Sequence, residues 1–208
     1  MTRNKLFPPG YGCARAAGLL LAAGMIFLTA CAEGGGEEES SVTILKDGKL
    51  KSLIVESFDK SYYDQDELQQ KILREAADYN NEAGEGTVSV EKVAAQDGVV
   101  RVEMTYADAS SYASFNDGIF FLGSAGEAQD AGYDLNRVLS SAKDLKETVG
   151  MSDILAMTEM RLLITDRKEP VTLSGKAAYI SDNVTMDKKL KTAFFEEESG
   201  ELAYILFK

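Results

Sequence analysis

Alternation between hydrophobic and polar residues predicts two antiparallel hairpins in the first half of the chain. Residues 87–106 form one of them around Asp97-Gly98, and residues 42–58 form the other around Asp47-Gly48. An Asp-Gly pair between two strands is typical of a type I′ turn, since both central residues need a positive φ. In the return strand of the hairpin at Asp97-Gly98, a period of two predicts one buried face and one solvated face. The residues of its predicted buried face are Val100, Val102, Met104 and Tyr106.

A period near 3.6 predicts one long helix over residues 64–82. Asp64 is placed to cap its N-terminus, and Glu67 follows three residues later as in a capping box. Gly84, which follows Asn80 and Asn81, is expected near its C-terminal end. The hydrophobic residues at helical spacing on one face are Leu68, Ile72, Leu73, Ala76 and Tyr79.

Shorter helical patterns follow in the middle of the chain. Residues 110–116 predict a short helix, and residues 151–157 are compatible with either a helix or a strand. Residues 123–132 are Gly-rich and predict a loop or a single turn of helix, but they lack the Gly-Lys-Ser/Thr ending of a phosphate-binding loop. Residues 135–147 predict an amphipathic helix. Its apolar positions are Leu135, Val138, Leu139, Ala142 and Leu145.

From residue 159 onward the pattern favours strands. Residues 160–165 alternate, and the strands VTL and KAAYI flank a predicted two-residue turn at Ser174-Gly175. A last hairpin is predicted from TAFFEE to ELAYILF, around residues 198–200. The order of hairpin, helix, hairpin, helical middle and strands predicts an α+β fold of antiparallel hairpins packed with one long and one or two shorter helices, in a single domain.

The N-terminus has the pattern of a secretory signal. Residues 1–15 carry three basic residues and no acidic one, and residues 16–28 form an uncharged run of 13 residues. That run is too short for a membrane-spanning helix, which needs roughly 20 apolar residues. The run ends at Leu28-Thr29-Ala30-Cys31, which resembles the lipobox of bacterial lipoproteins. The resemblance implies cleavage between Ala30 and Cys31 and attachment of a diacylglyceryl group to Cys31.

The segment after Cys31 has a composition that cannot form a hydrophobic core. Residues 32–41 read AEGGGEEESS, which predicts a flexible tether. The chain is therefore divided into a signal peptide (1–30), a lipidated cysteine with its tether (31–41) and one α+β domain (42–208).

Charge and composition narrow the classes of function. Without the three basic residues of the signal, 19 basic residues face 34 acidic ones, so the mature charge is near −15. Such a charge disfavours binding to nucleic acid and to anionic lipid surfaces. The chain has no histidine, which excludes a Ser-His or Cys-His nucleophile pair and histidine-ligated metals. We expect no cofactor, no metal site and no catalytic residue.

Two groups of oxygen-bearing side chains are the candidate chemistry. They are Asp64, Asp66 and Glu67, and Asp182, Asn183 and Asp187. Neither group matches a calcium-binding loop, and we expect the first to cap a helix and the second to form a turn.

Tyr62 and Tyr63, just before the long helix, could form a ligand-stacking platform. We favour the alternative that they pack the helix onto a sheet. The other aromatic residues lie mostly on predicted core faces.

Two passages of the mature chain resemble a group of uncharacterised lipoproteins of anaerobic Gram-positive bacteria. They are ESFDKSYYDQDELQQKI followed by ADYN, and KAAYISDNVT with LAYILF. The resemblance implies a surface lipoprotein of a Gram-positive cell and brings no catalytic residue with it.

These observations predict a protein held by the lipid on Cys31 to the extracytoplasmic face of the cell membrane. We expect its domain to be a non-catalytic binding module for a protein or another envelope component, and not for nucleic acid. Two alternatives stay open: an extracytoplasmic hydrolase that uses carboxylates, and a small-ligand accessory protein of a transporter. Facing acids with raised pKa values would favour the first, and a deep aromatic pocket would favour the second.

Overall fold

A computed structural model describes residues 39–196 and 199–208. Cys31 and the rest of the predicted signal and lipobox lie outside the described residues. In chain order the elements are β1 (Ser41–Ile44), β2 (Leu50–Ser57), α1 (Gln65–Ala83), β3 (Val88–Gln96), β4 (Val99–Tyr106), α2 (Ala109–Phe115), β5 (Phe120–Gly123), α3 (Ala125–Asp130), β6 (Leu139–Ser141), β7 (Thr148–Val149), α4 (Met151–Ala156), β8 (Arg161–Thr165), β9 (Val171–Thr172), β10 (Ala177–Ile180), β11 (Val184–Met186), β12 (Thr192–Phe195) and β13 (Ala203–Phe207). The predicted α+β class is confirmed.

The strands form two sheets. Sheet A has seven strands in the order β11-β12-β9-β1-β2-β4-β3, and sheet B has six in the order β5-β8-β13-β10-β6-β7. The pair β1–β9 is parallel, and the other pairs are antiparallel. Among the described residues, no helix is both long and apolar enough to cross a membrane.

Two hydrophobic cores lie on opposite faces of sheet B. The first core joins sheet A, α1 and α2 to one face of sheet B, and it includes Leu163 and Ile205. The second joins α3 and α4 to the other face, and it includes Leu162 and Leu206. Because both faces are covered, β8 and β13 are buried at successive positions. This explains why their sequences are almost continuously hydrophobic.

Both Asp-Gly hairpins are confirmed, but their turns differ. At the second one, Asp97 and Gly98 have φ values of 53° and 74°, as a type I′ turn requires. At the first, Gly48 has a φ of 88° while Asp47 is not in the positive-φ region. Leu45 N donates to Lys49 O at 2.9 Å, so three residues form this loop. The prediction of a type I′ turn there was wrong because Lys46 enters the loop as well.

The long helix α1 is confirmed within one residue at each end. The Asp64 side chain accepts a hydrogen bond from Glu67 N, and Gly84 N donates to Asn80 O at the other end. Four residues of its predicted face are buried: Leu68, Ile72, Ala76 and Tyr79. Leu73 is 46% exposed, so its predicted place on that face was wrong.

The helix predicted over residues 135–147 was wrong. Residues 139–141 instead form β6, which pairs with β10 and with β7. Leu135 and Leu139 are buried in the second core, while Val138 and Leu145 are 67% and 68% exposed. A spacing of three and four residues thus arose from a loop and a short strand. The pairing with β10, 36 or more residues away in sequence, decides the structure.

The other short segments are resolved as helices. Residues 110–116 contain most of α2, as predicted, and the ambiguous residues 151–157 contain α4. The Gly-rich residues 123–132 contain α3, where Ser124 and Glu127 form a capping box.

Two hairpins predicted near the C-terminus were also wrong. The strands β9 and β10 flank Ser174-Gly175, but β9 belongs to sheet A and β10 to sheet B. The same holds for β12 and β13. At both places the chain crosses from one sheet to the other. Sequence alternation cannot show such a crossing, because a strand has the same hydrophobic pattern whether it pairs with the next strand in the sequence or belongs to a different sheet.

Candidate functional site

The two oxygen-bearing groups singled out in the sequence have structural roles. Asp64 accepts a hydrogen bond from Glu67 N at 3.0 Å and caps α1, while Asp66 and Glu67 lie in its first turn. Carboxylates there are favourable because they face the positive end of the helix dipole. Within residues 39–196 and 199–208, no three His, Cys, Asp or Glu residues are arranged to hold a metal ion.

The structure does not bring Asp182, Asn183 and Asp187 together as one site. Asn183 is buried, accepts a hydrogen bond from Ser181 Oγ at 2.6 Å and donates to Glu201 O at 3.2 Å. Asp187 accepts from Lys191 N at 2.6 Å and Thr192 N at 3.0 Å. Partial burial alone would raise the pKa of Asp187, but these backbone donors lower it below its ordinary value.

The tyrosine pair before α1 is split between a packed and an exposed ring. Tyr63 lies against Phe58 at the end of β2, with ring centroids 4.9 Å apart. Tyr62 meets Tyr63 edge-on at 5.0 Å and is 67% exposed. Tyr63 therefore packs the start of α1 against sheet A, while Tyr62 extends beyond this contact.

In the part of the chain that the structure describes, the groups with raised pKa values do not form a pair of facing acids. Burial raises the pKa of Glu75 on α1, although the ammonium of Lys71, 3.7 Å away, lowers it in part. Burial also raises the pKa values of Tyr106 and Tyr112, whose rings meet edge-on in the first core. Glycoside hydrolysis needs two carboxyls that flank one bond. Glu75, Tyr106 and Tyr112 are instead one carboxyl beside a lysine and two buried phenols, and their surroundings are those of an ordinary helix surface and a packed core.

The outer face of sheet A is a broad surface without a covering helix among the described residues. The buried residues of α1 and α2 belong to the first core, on the inner face, and those of α3 and α4 belong to the second core. Residues of sheet A that alternate with the inner ones, such as Thr43 and Lys51, are half-buried or exposed.

One line of directly opposed residues crosses six strands of this face, and we call it the hydroxyl row. The strand registers join Thr192 to Thr172, Thr172 to Thr43, Thr43 to Lys51, Lys51 to Thr105 and Thr105 to Ser89. With strands roughly 4.8 Å apart, the row is about 24 Å long. Thr172 and Thr192 share a hydrogen bond of 3.3 Å between their hydroxyl oxygens.

A groove of about 460 Å³ on strands β1 to β4 includes part of the hydroxyl row. Its charged residues are of both signs, and Lys92 forms an ion pair with Glu103 at 3.9 Å. The groove is lined by both polar and apolar residues, which include Thr43, Lys51, Leu53, Arg101, Glu103 and Thr105. Its volume falls within the range of small-ligand pockets, but it lies on an open sheet face.

Phe194 adds an exposed aromatic ring to the same face. On β12, Ala193 is fully buried while Phe194 is 43% exposed, so Phe194 lies on the outer side with Thr192. The sequence predicted Phe194 to pair across a hairpin with the last strand, which was wrong because β12 pairs with β9 and β11. Sequence alternation showed outward positions in single strands, but the hydroxyl row depends on the parallel pair β1–β9, which nothing in the sequence indicated.

A second concavity lies at the end of sheet A near the gap in the described residues. It is lined by Asp182, Asn183, Glu196, Ser199, Gly200 and Glu201. Its hydrogen bonds serve the loop itself, since Lys168 Nζ donates to Glu196 O at 2.9 Å and Asn183 Nδ2 to Ser199 Oγ at 3.3 Å. The outer face of sheet A is therefore the better candidate site.

Comparison with protein-family models, with curated proteins and with solved structures finds no match to this chain.

Proposed function

We propose that this protein is a lipid-anchored surface protein on the extracytoplasmic face of the cell membrane, and that its domain binds an envelope component without catalysis. The observation that carries the proposal is Leu28-Thr29-Ala30-Cys31 after a basic segment and a 13-residue apolar run. A diacylglyceryl group on Cys31 supplies two acyl chains, and one chain alone binds a membrane only marginally.

The way the tether joins the domain supports this arrangement. The Ser40 hydroxyl accepts a hydrogen bond from Val55 N at 2.9 Å and donates to Val55 O at 3.2 Å. The tether thus reaches the fold at β1, in the middle of sheet A. The predicted tether included Ser40 and Ser41, but Ser41 begins β1, so only the eight residues 32–39 lie between Cys31 and this contact. They span at most about 28 Å, so sheet A would be held close to the membrane.

Replacement of Cys31 tests the anchor. In cells fed labelled palmitate, Cys31→Ala should abolish labelling and leave the signal uncleaved, because the lipidated thiol is gone. Cys13→Ala is the matched control, since Cys13 lies in the predicted signal and its loss should leave labelling and membrane fractionation unchanged. Persistent labelling of the Cys31→Ala variant would refute the anchor.

Cross-linking on intact cells, followed by mass spectrometry, tests the binding role. Reproducible capture of one envelope component is the expected result. Turnover of a glycan or peptide without any specific capture would instead support the carboxylate hydrolase.

A further inference from the structure

We propose that the outer face of sheet A binds a linear, largely uncharged polysaccharide of the cell envelope, which lies along the hydroxyl row with a sugar ring on Phe194. This inference rests on the proposed surface location and names the class of partner. The contacts would come from hydroxyl groups, from the aromatic ring of Phe194 and from the ammonium group of Lys51.

The spacing of the hydroxyl row fits a linear glycan. Strand separation sets one side chain about every 4.8 Å along the row. This interval is comparable to the length of one sugar ring in an extended polysaccharide, and each such ring bears hydroxyl groups. Each threonine or serine hydroxyl can donate one hydrogen bond and accept two. Threonine is common on exposed strands, so its abundance alone would be weak evidence for a binding surface. The continuous register over six strands is what makes a single extended ligand fit.

Phe194 points to the same ligand class by a separate route. A phenyl ring that is 43% exposed gains by covering its apolar face, and the faces of sugar rings carry apolar C–H groups. Phe194 lies two residues from Thr192 on β12, so the two side chains are roughly 7 Å apart along the strand. A sugar ring on Phe194 therefore has its hydroxyls within reach of the first member of the row.

Charge decides between a neutral glycan and a polyanion. The mature chain carries about −15, which would repel a densely anionic polymer. The groove that includes part of the row holds cations and anions together, and Lys92 is paired with Glu103. Lys51 in the row can donate hydrogen bonds to sugar oxygens or meet an occasional carboxylate. The balance favours a polysaccharide with few anionic groups.

Co-sedimentation of the purified full-length protein in detergent tests the proposal. The probe is insoluble peptidoglycan freed of attached anionic polymers, and heparin is the polyanion for comparison. Because the charged groups of peptidoglycan lie on its stem peptides, soluble stem peptides are added as a competitor and should leave sedimentation unchanged. We expect sedimentation with peptidoglycan that persists in 0.5 M salt, at which ion pairing is largely screened. Failure to sediment, or binding to heparin that salt abolishes, would overturn the proposal.

Substitutions locate the binding surface. Thr172→Val keeps the shape and β-propensity but removes a hydroxyl, and should weaken binding about threefold to tenfold. Phe194→Ala should weaken it at least about tenfold. Thr148→Val, at an exposed position of β7 in sheet B, is the control and should bind like the wild type. Equal binding by all variants, with unchanged unfolding temperatures, would refute the assignment to sheet A.

These results are distinguishable from those on the anchor. Sedimentation of the purified chain reports on sheet A whether or not Cys31 is lipidated, whereas palmitate labelling reports on Cys31 alone. Capture of a protein partner on cells with no sedimentation on peptidoglycan would leave the anchored binding module standing and remove the glycan.

Discussion

At the scale of single residues, Asn80 shows how a side chain can form the hydrogen bonds that a neighbouring strand would make at the edge of a sheet. Its amide lies at the C-terminal part of α1 and meets the first residue of β3, the edge strand of sheet A. Asn80 Oδ1 accepts from Val88 N and Asn80 Nδ2 donates to Val88 O, both at 2.8 Å. This pair of bonds copies the exchange between neighbouring strands. Near the other end of β3, Gln65 Oε1 accepts from Ala95 N at 3.3 Å. The helix thus occupies two edge positions, at Val88 and Ala95, that would otherwise be open to pairing.

We expect Asn80→Ala to lower the free energy of unfolding by about 1–2 kcal/mol. The substitution leaves two half-buried backbone groups of Val88 without their partner, and the better helix propensity of alanine offsets only part of that loss. Urea denaturation monitored by circular dichroism measures the change. Asn81→Ala is the matched control, because Asn81 is the exposed neighbour on the same helix, and it should change stability by less than about 0.5 kcal/mol. Equal effects of the two variants would contradict the bridging role of Asn80.

At the scale of elements, the sequence predicted what is local and failed where distant strands decide. Asp64 as a helix cap and Asp97-Gly98 as a turn follow from residues within a few positions of each other. The strand β6 does not, since its hydrophobic spacing fits a helix as well and only its pairing with β10 distinguishes the two. The candidate site shows the same limit. The hairpin that holds Thr43 and Lys51 was predicted, but its expected two-residue turn would have placed Thr43 opposite Ser52 and not Lys51. Thr172 joins them through a parallel pair of distant strands.

Gly175 marks the place where the chain leaves sheet A for sheet B. A Cβ atom at this position would lie within 1.4 Å of the carbonyl oxygen of Lys208, which itself accepts a hydrogen bond from Lys176 N at 2.7 Å. The obstacle is backbone, so the clash is relieved only if the two hydrogen bonds between Lys176 and Lys208 break. We therefore expect Gly175→Ala to separate Lys208 from the start of β10 and to destabilise the protein by about 1–3 kcal/mol.

Thermal unfolding and hydrogen exchange of the β10 and β13 amides measure the effect of Gly175→Ala. Gly126→Ala serves for comparison, because Gly126 lies within α3 and a Cβ there meets nothing closer than 4.0 Å. Alanine is the better helix former, so this variant should be as stable as the wild type or up to about 1 kcal/mol more stable. A Gly175→Ala protein with wild-type stability and exchange would show that the C-terminal residue does not pair as described.

At the scale of the whole molecule, sheet B couples the two hydrophobic cores. Adjacent residues of β13 face opposite ways, with Ile205 in the first core and Leu206 in the second. Both side chains are fully buried, and β13 pairs on its two sides with β8 and β10. If the packing of one core is lost, β13 is no longer held in the position that the packing of the other core requires. The outer face of sheet A depends on the same coupling, because its inner face is part of the first core.

We therefore expect Ile205→Ala and Leu206→Ala to destabilise the protein by similar amounts, about 2–5 kcal/mol each, with one cooperative unfolding transition in both variants. Far-ultraviolet circular dichroism and tyrosine fluorescence should give coincident urea transitions, since tyrosines lie in both cores: Tyr112 in the first and Tyr204 in the second. If the second core were a separate unit, Leu206→Ala would unfold it early and split the two transitions. In that case Ile205→Ala would not change the urea concentration at which the tyrosine fluorescence of the second core changes. A single coincident transition is the result that a shared central sheet requires.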